Sequence, residues 1–379
     1  MEADVTWPAS SPRIARAQGK LADHTMAYAD ESDTPLFVQG GTDMEPDRPR
    51  REFVKELAAL GGFTAFMGYS LQPAAAEPPP EVTSIGFSLF PTTCLAPQYL
   101  AEEFLRIEGF SDVKYRAPPN LINKEEAAPA QDMWMGPAPS VISAIDNGLP
   151  GVALAGIHAG CYELFATERV RAVRDLKGKT VVIGARGALE HLFIASMVAY
   201  VGMNPEKDIN WSIAGTSEKA FQQFAAGKAD AWLAFGTEPL ELRAKKIGHS
   251  ILSTAESQPW SQYFCCMLTA RRDFVEKYPV ASKRALRAVL KAADVCASDP
   301  ARAARYMAGK GYEPRYELAL ETLKRLPYRR WREANPEDTM RFYALRLHEV
   351  GMIKFTPQKI IADGTDWRFL NELKRELKA

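Results

Sequence analysis

Residues 175–202, DLKGKTVVIGARGALEHLFIASMVAYVG, limit most tightly what this chain can fold into. A polar turn at 176–179 leads into the β-branched run Thr180, Val181, Val182, Ile183. The run stops at Gly184-Ala185-Arg186-Gly187, and apolar residues continue through Val201. The order is strand, glycine-rich turn, helix, the unit of an α/β sheet protein. Backbone N–H groups at such a turn, together with a positive helix end, suit a small anion or carboxylate. The spacing is neither the dinucleotide fingerprint nor the phosphate loop. The competing reading is that these glycines only permit a tight bend.

Similar units flank it. Residues 82–90 read as a strand broken at Pro91, and Thr92 and Thr93 are placed to cap the helix that follows. A second strand is expected at 113–116. Ser88, Thr92 and Thr93 then sit at a strand-to-helix turn, where open α/β sheets meet ligands; for the threonines plain capping is the alternative. Residues 117–132 form a Pro/Asn/Glu/Ala-rich connection. Helix is expected at 140–146 and a buried strand at 151–157, followed at once by His158-Ala159-Gly160-Cys161-Tyr162-Glu163. Histidine, cysteine and tyrosine this close raise Cys-His catalysis, but no nucleophile turn accompanies them. His158 and Tyr162 as hydrogen-bonding ligand groups compete with polar wall packing. Further strand and helix alternate at 209–213, 217–224, 229–235, 240–246 and 249–252, a second small α/β unit. Glu218 and Glu238 lie at helix starts, where the dipole favours an acid. Helices are expected from 274 onward, ending in a tail from Trp331 dense in charge and aromatic rings. Such rings pack against a neighbouring domain while the charges stay solvated.

With 379 residues, 46% hydrophobic and formal net charge +0, the chain accommodates two packed domains, and nucleic acid is not an implied partner. The five cysteines, Cys94, Cys161, Cys265, Cys266 and Cys296, do not form a disulfide framework and lack zinc-site spacing. They read as small buried hydrophobes, with no metal and no cofactor expected. The motif Arg50-Arg51-Glu52-Phe53-Val54-Lys55, an apolar stretch at 57–71 and Pro73-Ala74-Ala75-Ala76 read as a secretory signal over 44–76. The paired arginines favour the twin-arginine route, and a short amphipathic helix is the alternative. Residues 1–43 are expected to be a disordered extension or a start-site artefact ahead of Met44. Removing 1–76 leaves a slight excess of basic residues.

Several motifs in order carry a family resemblance: Gly136-Pro137-Ala138-Pro139 before a helix, Leu176-Lys177-Gly178-Lys179 before a strand, the turn Gly184 to Gly187, Gly202-Met203-Asn204-Pro205, and residues 225–231 leading to Gly236-Thr237-Glu238-Pro239. Over roughly residues 82–325 the chain resembles the solute-binding proteins of ABC importers in the NMT1/THI5-like group, which includes sulfonate, taurine, nitrate and thiamine-precursor binders. The resemblance implies a two-lobed periplasmic binding protein fold (type II) of α/β class with extra C-terminal helices. Lobe 1 is expected at 82–177 plus 258–330, lobe 2 at 178–257 and a helical extension at 331–379. It implies a hinged, non-enzymatic periplasmic monomer that binds a small-molecule ligand and delivers it to ABC permease transmembrane subunits. The implied ligand contacts are Ser88, Thr92, Thr93, Gly136, Ala138, His158, Tyr162, Gly184, Arg186, Gly187, Glu190 and Glu238.

One departure bears on the ligand. Where family members often place hydroxyls after the lobe-2 glycine turn, this chain has Ala188, Leu189, Glu190 and His191. Glu190 repels a sulfonate unless it points away or pairs with Arg186, which leaves room for a cationic, zwitterionic or heteroaromatic ligand. The amides at Gly184 to Gly187 in turn lead to the expectation of a small organic anion or zwitterion. Two other readings remain open on sequence. A metal-dependent pyrimidine-synthase-like enzyme needs clustered histidine and several cysteines, whereas here the histidines are spread out and Cys265-Cys266 stands alone. A ligand sensor uses the same clamp.

Overall fold

The computed structural model describes residues 77–116 and 131–378, so the expected leader (1–43) and export signal (44–76) lie outside the described residues. The chain opens with β1 (Ser84–Ser88), α1 (Ala96–Ile107), β2 (Asp112–Arg116), β3 (Met133–Pro137), α2 (Ala138–Asp146) and β4 (Gly151–Ala159). There follow β5 (Tyr162–Ala166), β6 (Thr180–Ile183), α3 (Leu189–Tyr200), α4 (Pro205–Asp208), β7 (Asn210–Ile213), α5 (Ser217–Ala225), β8 (Ala231–Phe235), α6 (Glu238–Ala244) and β9 (His249–Ser253). The return leg is β10 (Phe264–Arg271), then α7 (Arg272–Lys277), α8 (Pro279–Ser298), α9 (Pro300–Gly309) and α10 (Tyr316–Arg325). Three C-terminal helices complete it: α11 (Pro336–Glu349), α12 (Pro357–Gly364) and α13 (Arg368–Glu376).

The strands form two sheets of like design, ordered β2-β1-β3-β10-β4 and β7-β6-β8-β5-β9. In each, one early strand pairs in parallel with two neighbours, and one strand runs antiparallel between the last two. Those antiparallel strands, β10 and β5, are the ones entered by crossing from the other sheet. The sheets are therefore mixed, where the opening βαβ pattern pointed to a mainly parallel arrangement.

The chain crosses between sheets twice, at Gly160-Cys161 and over residues 254–263. Gly160 has φ +62, and a side chain there would stand 2.4 Å from the Ala255 Cα, so the two crossings touch where only glycine fits. The first crossing corrects the expected boundary. Residues 162–166 pair with β8 and β9 in the second sheet, so lobe 2 begins at Tyr162 and not at 178. Strands β3 and β5 were absent from the sequence expectations. In β3 the run Met-Trp-Met-Gly-Pro lacks β-branched residues, and in β5 the charged Glu163 interrupts the pattern.

Helix α3 carries apolar residues around its whole circumference because it is enclosed: Glu190 through Ala199 are all buried. Phe193 packs between Tyr162 (ring centroids 4.4 Å apart, tilted) and Tyr343 of α11 (5.5 Å, edge-on). Helix α11 also packs on α2 of the first lobe, and its Thr339 hydroxyl accepts from the Phe264 N–H at 2.9 Å. The aromatic tail thus packs as expected, across both lobes, with Trp331, Tyr343 and Phe369 buried. Among the described residues no helix is long and apolar enough to cross a membrane.

Candidate functional site

The lobe-2 glycine turn is closed by its own partners. Gly187, at φ +76, donates its N–H to His191 Nδ1 at 2.9 Å, so one main-chain donor expected to grip a ligand is already used. That bond needs a neutral imidazole, and burial pushes the His191 pKa down to about 4 against the opposing pull of Glu206. Arg186 makes two contacts to the Glu206 carboxylate, at 2.9 and 2.7 Å, on the surface. Glu190 is buried and accepts from the Ser217 hydroxyl. The expected choice for Glu190 thus resolves: it turns inward to Ser217, and Arg186 pairs with Glu206 instead. Glu238, first residue of α6, accepts from the Phe235 N–H at 2.9 Å; burial raises its pKa to about 8, helped by the charge on Glu190.

The lobes meet at the mouth of the crossings. A side chain on Gly236 (φ +60) would lie 3.1 Å from Thr92 Oγ1, so first-lobe threonine and second-lobe glycine sit against each other. Arg315 donates to the Thr237 hydroxyl (2.8 Å) and pairs with Glu241 (2.6 Å), tying the return leg to α6. Between them lies a crevice of about 40 Å³, lined on one side by Cys161, Tyr162, Glu163, Gly236 and Glu256 and on the other by residues at the end of α10, including Thr322 and Arg325. It holds both signs of charge. It is smaller than the several hundred Å³ of an ordinary small-molecule pocket, about 300 Å³ or more.

Behind the crevice four cysteines and a histidine converge. One ligand atom each of His158, Cys161, Cys265 and Cys266 lies within 4.8 Å of the others. Cys161 Sγ is 2.8 Å from Cys265 Sγ, which is 3.7 Å from Cys266 Sγ. Adjacent side chains on a strand normally face opposite ways. Here the β10–β4 ladder slips at Phe264/Cys266 and again at Cys266/Met267, and this bulge turns both thiols to one place. Cys266 is the cross-strand partner of His158. Cys94 belongs to the same group, with its thiol 3.8 Å from Thr92 Oγ1 and its carbonyl accepting from the Tyr328 hydroxyl at 3.0 Å. Hydrogen bonds from Cys161 and the other thiols push the Cys266 thiol well down, whereas burial pushes Cys161 and Cys265 up. Burial opposes a charge on His158, yet the facing Cys266 outweighs it and raises the imidazole to about 10.

Residues 96–303, more than half the chain, match the family described as NMT1/THI5 like. The chain belongs to that family. No curated protein matches it. Among solved structures it is similar to the periplasmic nitrate-binding protein NrtA from Synechocystis PCC 6803 (16% identity, 79% of this chain and 90% of that one, TM-score 0.64). It is also similar to the periplasmic aliphatic sulphonate binding protein SsuA from Escherichia coli (18% identity, 74% and 91%, TM-score 0.55). A third is the ligand-binding component of an ABC-type import system from Staphylococcus aureus with zinc bound (11% identity, 77% and 99%, TM-score 0.59). The fold of this NMT1/THI5-like chain is accordingly the two-lobed α/β periplasmic-binding-protein fold, with extra C-terminal helices.

The structure distributes the sequence-predicted residues over three places. Thr92, His158 and Tyr162 gather at the crossing. Gly184, Arg186, Gly187 and Glu190 form the self-satisfied turn, with Glu238 within electrostatic reach of Glu190. Ser88, Thr93, Gly136 and Ala138 are packed into lobe 1: the Ser88 carbonyl accepts from Gln98 Nε2 (2.7 Å), and Gly136 pairs with Met267. Thr92 precedes the helix without a capping bond, contrary to expectation, and the Thr93 hydroxyl is buried without a partner. The reading that Cys265-Cys266 stands alone is overturned, because Cys161 and Cys94 arrive from other elements. Arg315 and Thr237, which tie the lobes, carried no sequence signal as a pair; they are 78 residues apart.

Proposed function

We propose that this chain is the periplasmic solute-binding component of an ABC importer, closing two lobes over a small organic anion or zwitterion and presenting the closed form to permease transmembrane subunits. The carrying observation is the crevice at the crossings, walled by both lobes and edged by charges of both signs. The related structures include proteins named for nitrate and sulphonate binding, which supports a small anionic head group. Arg325, whose guanidinium also pairs with Glu321, and Glu256 place charges of both signs at the rim, a combination that favours a zwitterion over a simple sulfonate. Mechanism is then physical: a solute that touches both lobes shifts the population toward the closed form by its differential affinity. The role is binding rather than catalysis, and export by the twin-arginine route is part of the same proposal.

The test is a thermal-shift panel on the full chain with nitrate, sulfonates, aromatic carboxylates, amino-acid-like zwitterions and pyrimidines. A true solute at 100 times its Kd raises stability by about 2.7 kcal/mol. Solution scattering with that solute is expected to show a more compact particle. A panel without any shift, together with an unchanged scattering profile, contradicts the reading.

A further inference from the structure

We infer that the crossing between the lobes is a binding site for a thiophilic d10 metal ion, zinc(II) or copper(I), held by Cys161 Sγ, Cys265 Sγ, Cys266 Sγ and His158 Nε2. This goes beyond solute binding and does not rest on it. Three sulfurs and one imidazole nitrogen within 4.8 Å form the donor set of a tetrahedral Cys₃His centre. Soft thiolates select zinc and cuprous ions over magnesium or calcium. With metal–sulfur bonds of about 2.3 Å, tetrahedral ligation sets sulfurs roughly 3.8 Å apart; Cys265 and Cys266 already stand at 3.7 Å, and Cys161 and Cys265, at 2.8 Å, part by about 1 Å to admit the ion.

The histidine gives the independent sign. His158 is fully buried; its Nδ1 is placed against the carbonyls of Gly160 (3.0 Å) and Ala159 (3.3 Å), and Nε2 has no hydrogen-bond partner. An Nδ1–H donated to a main-chain carbonyl leaves Nε2 as the nitrogen that gives up its proton to bind metal, the usual outer-shell support of such ligands. Thr254 gives the same kind of support on the sulfur side, its hydroxyl accepting from the Cys161 N–H at 3.2 Å and the Tyr162 N–H at 3.0 Å. Entry is available because Cys161 is half-buried and lines the crevice. Binding displaces the imidazole proton and the remaining thiol protons into solvent, so uptake is accompanied by acid release. Cys94 lies beside the set as a fourth sulfur.

The experiment uses the full chain, reduced and stripped of metal under anaerobic conditions, with no solute added. Zinc(II) and copper(I) are titrated separately against competing chelators, and cobalt(II) is added as a spectroscopic reporter for zinc. The expected result is one ion per chain, proton release, and, with cobalt, thiolate charge-transfer bands with tetrahedral ligand-field absorption. Cys266→Ser and His158→Ala are expected to lower affinity by at least about 100-fold, since even outer-shell losses reach that size. Cys296→Ser, a buried thiol on α8 outside the group, leaves affinity unchanged. If a ligand variant does not fold, the wild-type cobalt spectrum still decides. Absence of stoichiometric binding by reduced wild type, octahedral oxygen-type cobalt spectra, or equal loss in Cys296→Ser overturns the site. A stable Cys161–Cys265 disulfide in the natural protein, with no ion bound on reduction, does so as well. Because no solute is present, this outcome is separate from that of the ligand panel.

Discussion

The glycine turn of lobe 2 and the cysteine-histidine group at the crossing differ in what surrounds their one unsatisfied imidazole nitrogen. At the turn, Gly187, Arg186 and Glu190 have partners within the protein, and His191 Nε2, without a hydrogen bond, stands 3.6 Å from the Glu206 carboxylate. At the crossing, His158 Nε2 likewise has no partner, but there thiols from three separate segments face it and one another. Both regions carry glycines, a histidine and a nearby helix, so type and spacing of residues do not tell them apart. The convergence of ligand atoms does. A turn whose main-chain donor, guanidinium and buried carboxyl are already paired is built to hold shape, and a place where three sulfurs and an imidazole nitrogen meet is built to receive an ion.

The sharpest way to probe that contrast is to cut the packing that joins the regions. Phe193, between Tyr162 and Tyr343, is expected to cost about 3–5 kcal/mol when replaced by alanine, measured by urea unfolding. A loss under about 1 kcal/mol means that α3 does not brace the crossing. Next in size is the acid response of the turn. His191 is held neutral at about 4 when folded and titrates near 6.5 when unfolded. The unfolded chain therefore binds the extra proton between those values, and stability falls as pH drops from 6.5 toward 4, by on the order of 3 kcal/mol. His191→Gln is expected to flatten that slope; an unchanged slope contradicts the closed-turn assignment.

Glu238 gives a smaller effect of the opposite sense, because it is only half-buried. Its carboxyl stays protonated to about 8 in the fold, against 4.5 for the ordinary group. Between those values the unfolded chain has already lost the proton, so stability declines as pH rises through the window. Glu238→Gln, which keeps an acceptor for the Phe235 N–H, is expected to remove the decline in a series of thermal melts. The smallest effect is Arg186→Ala: an exposed ion pair contributes at most about 1 kcal/mol. Its solute affinity is the informative readout. If the turn is structural, Arg186→Ala binds a confirmed solute as wild type does, while Tyr162→Ala loses affinity. The reverse pattern returns the binding site to the turn.

Much of the architecture was legible in the chain itself. The β-branched run 180–183, the all-round apolar helix after it and the turn glycines declared their elements because local pattern alone decides them. The lobe boundary was not, since Tyr162 and Glu163 join the second sheet through pairing with β8 and β9, partners about 70 to 90 residues distant. Nor was the cysteine group. Metal-ligand motifs are recognised by close spacing, whereas here Cys161 and Cys265 are 104 residues apart. Neighbouring residues on a strand ordinarily face opposite sides, and the bulge in β10 that turns Cys265 and Cys266 to one place has no sequence signature. His158 and Tyr162 stand out in the sequence as neighbours, but two of the thiols that surround His158, those of Cys265 and Cys266, come from residues more than 100 positions further along the chain.

Anomalous diffraction from crystals of the zinc-loaded full chain tests the contrast most directly. The account predicts one strong zinc peak within bonding distance of Cys161, Cys265, Cys266 and His158, and none at residues 184–191. A peak at the glycine turn, or no peak at the crossing with its thiols reduced, contradicts it.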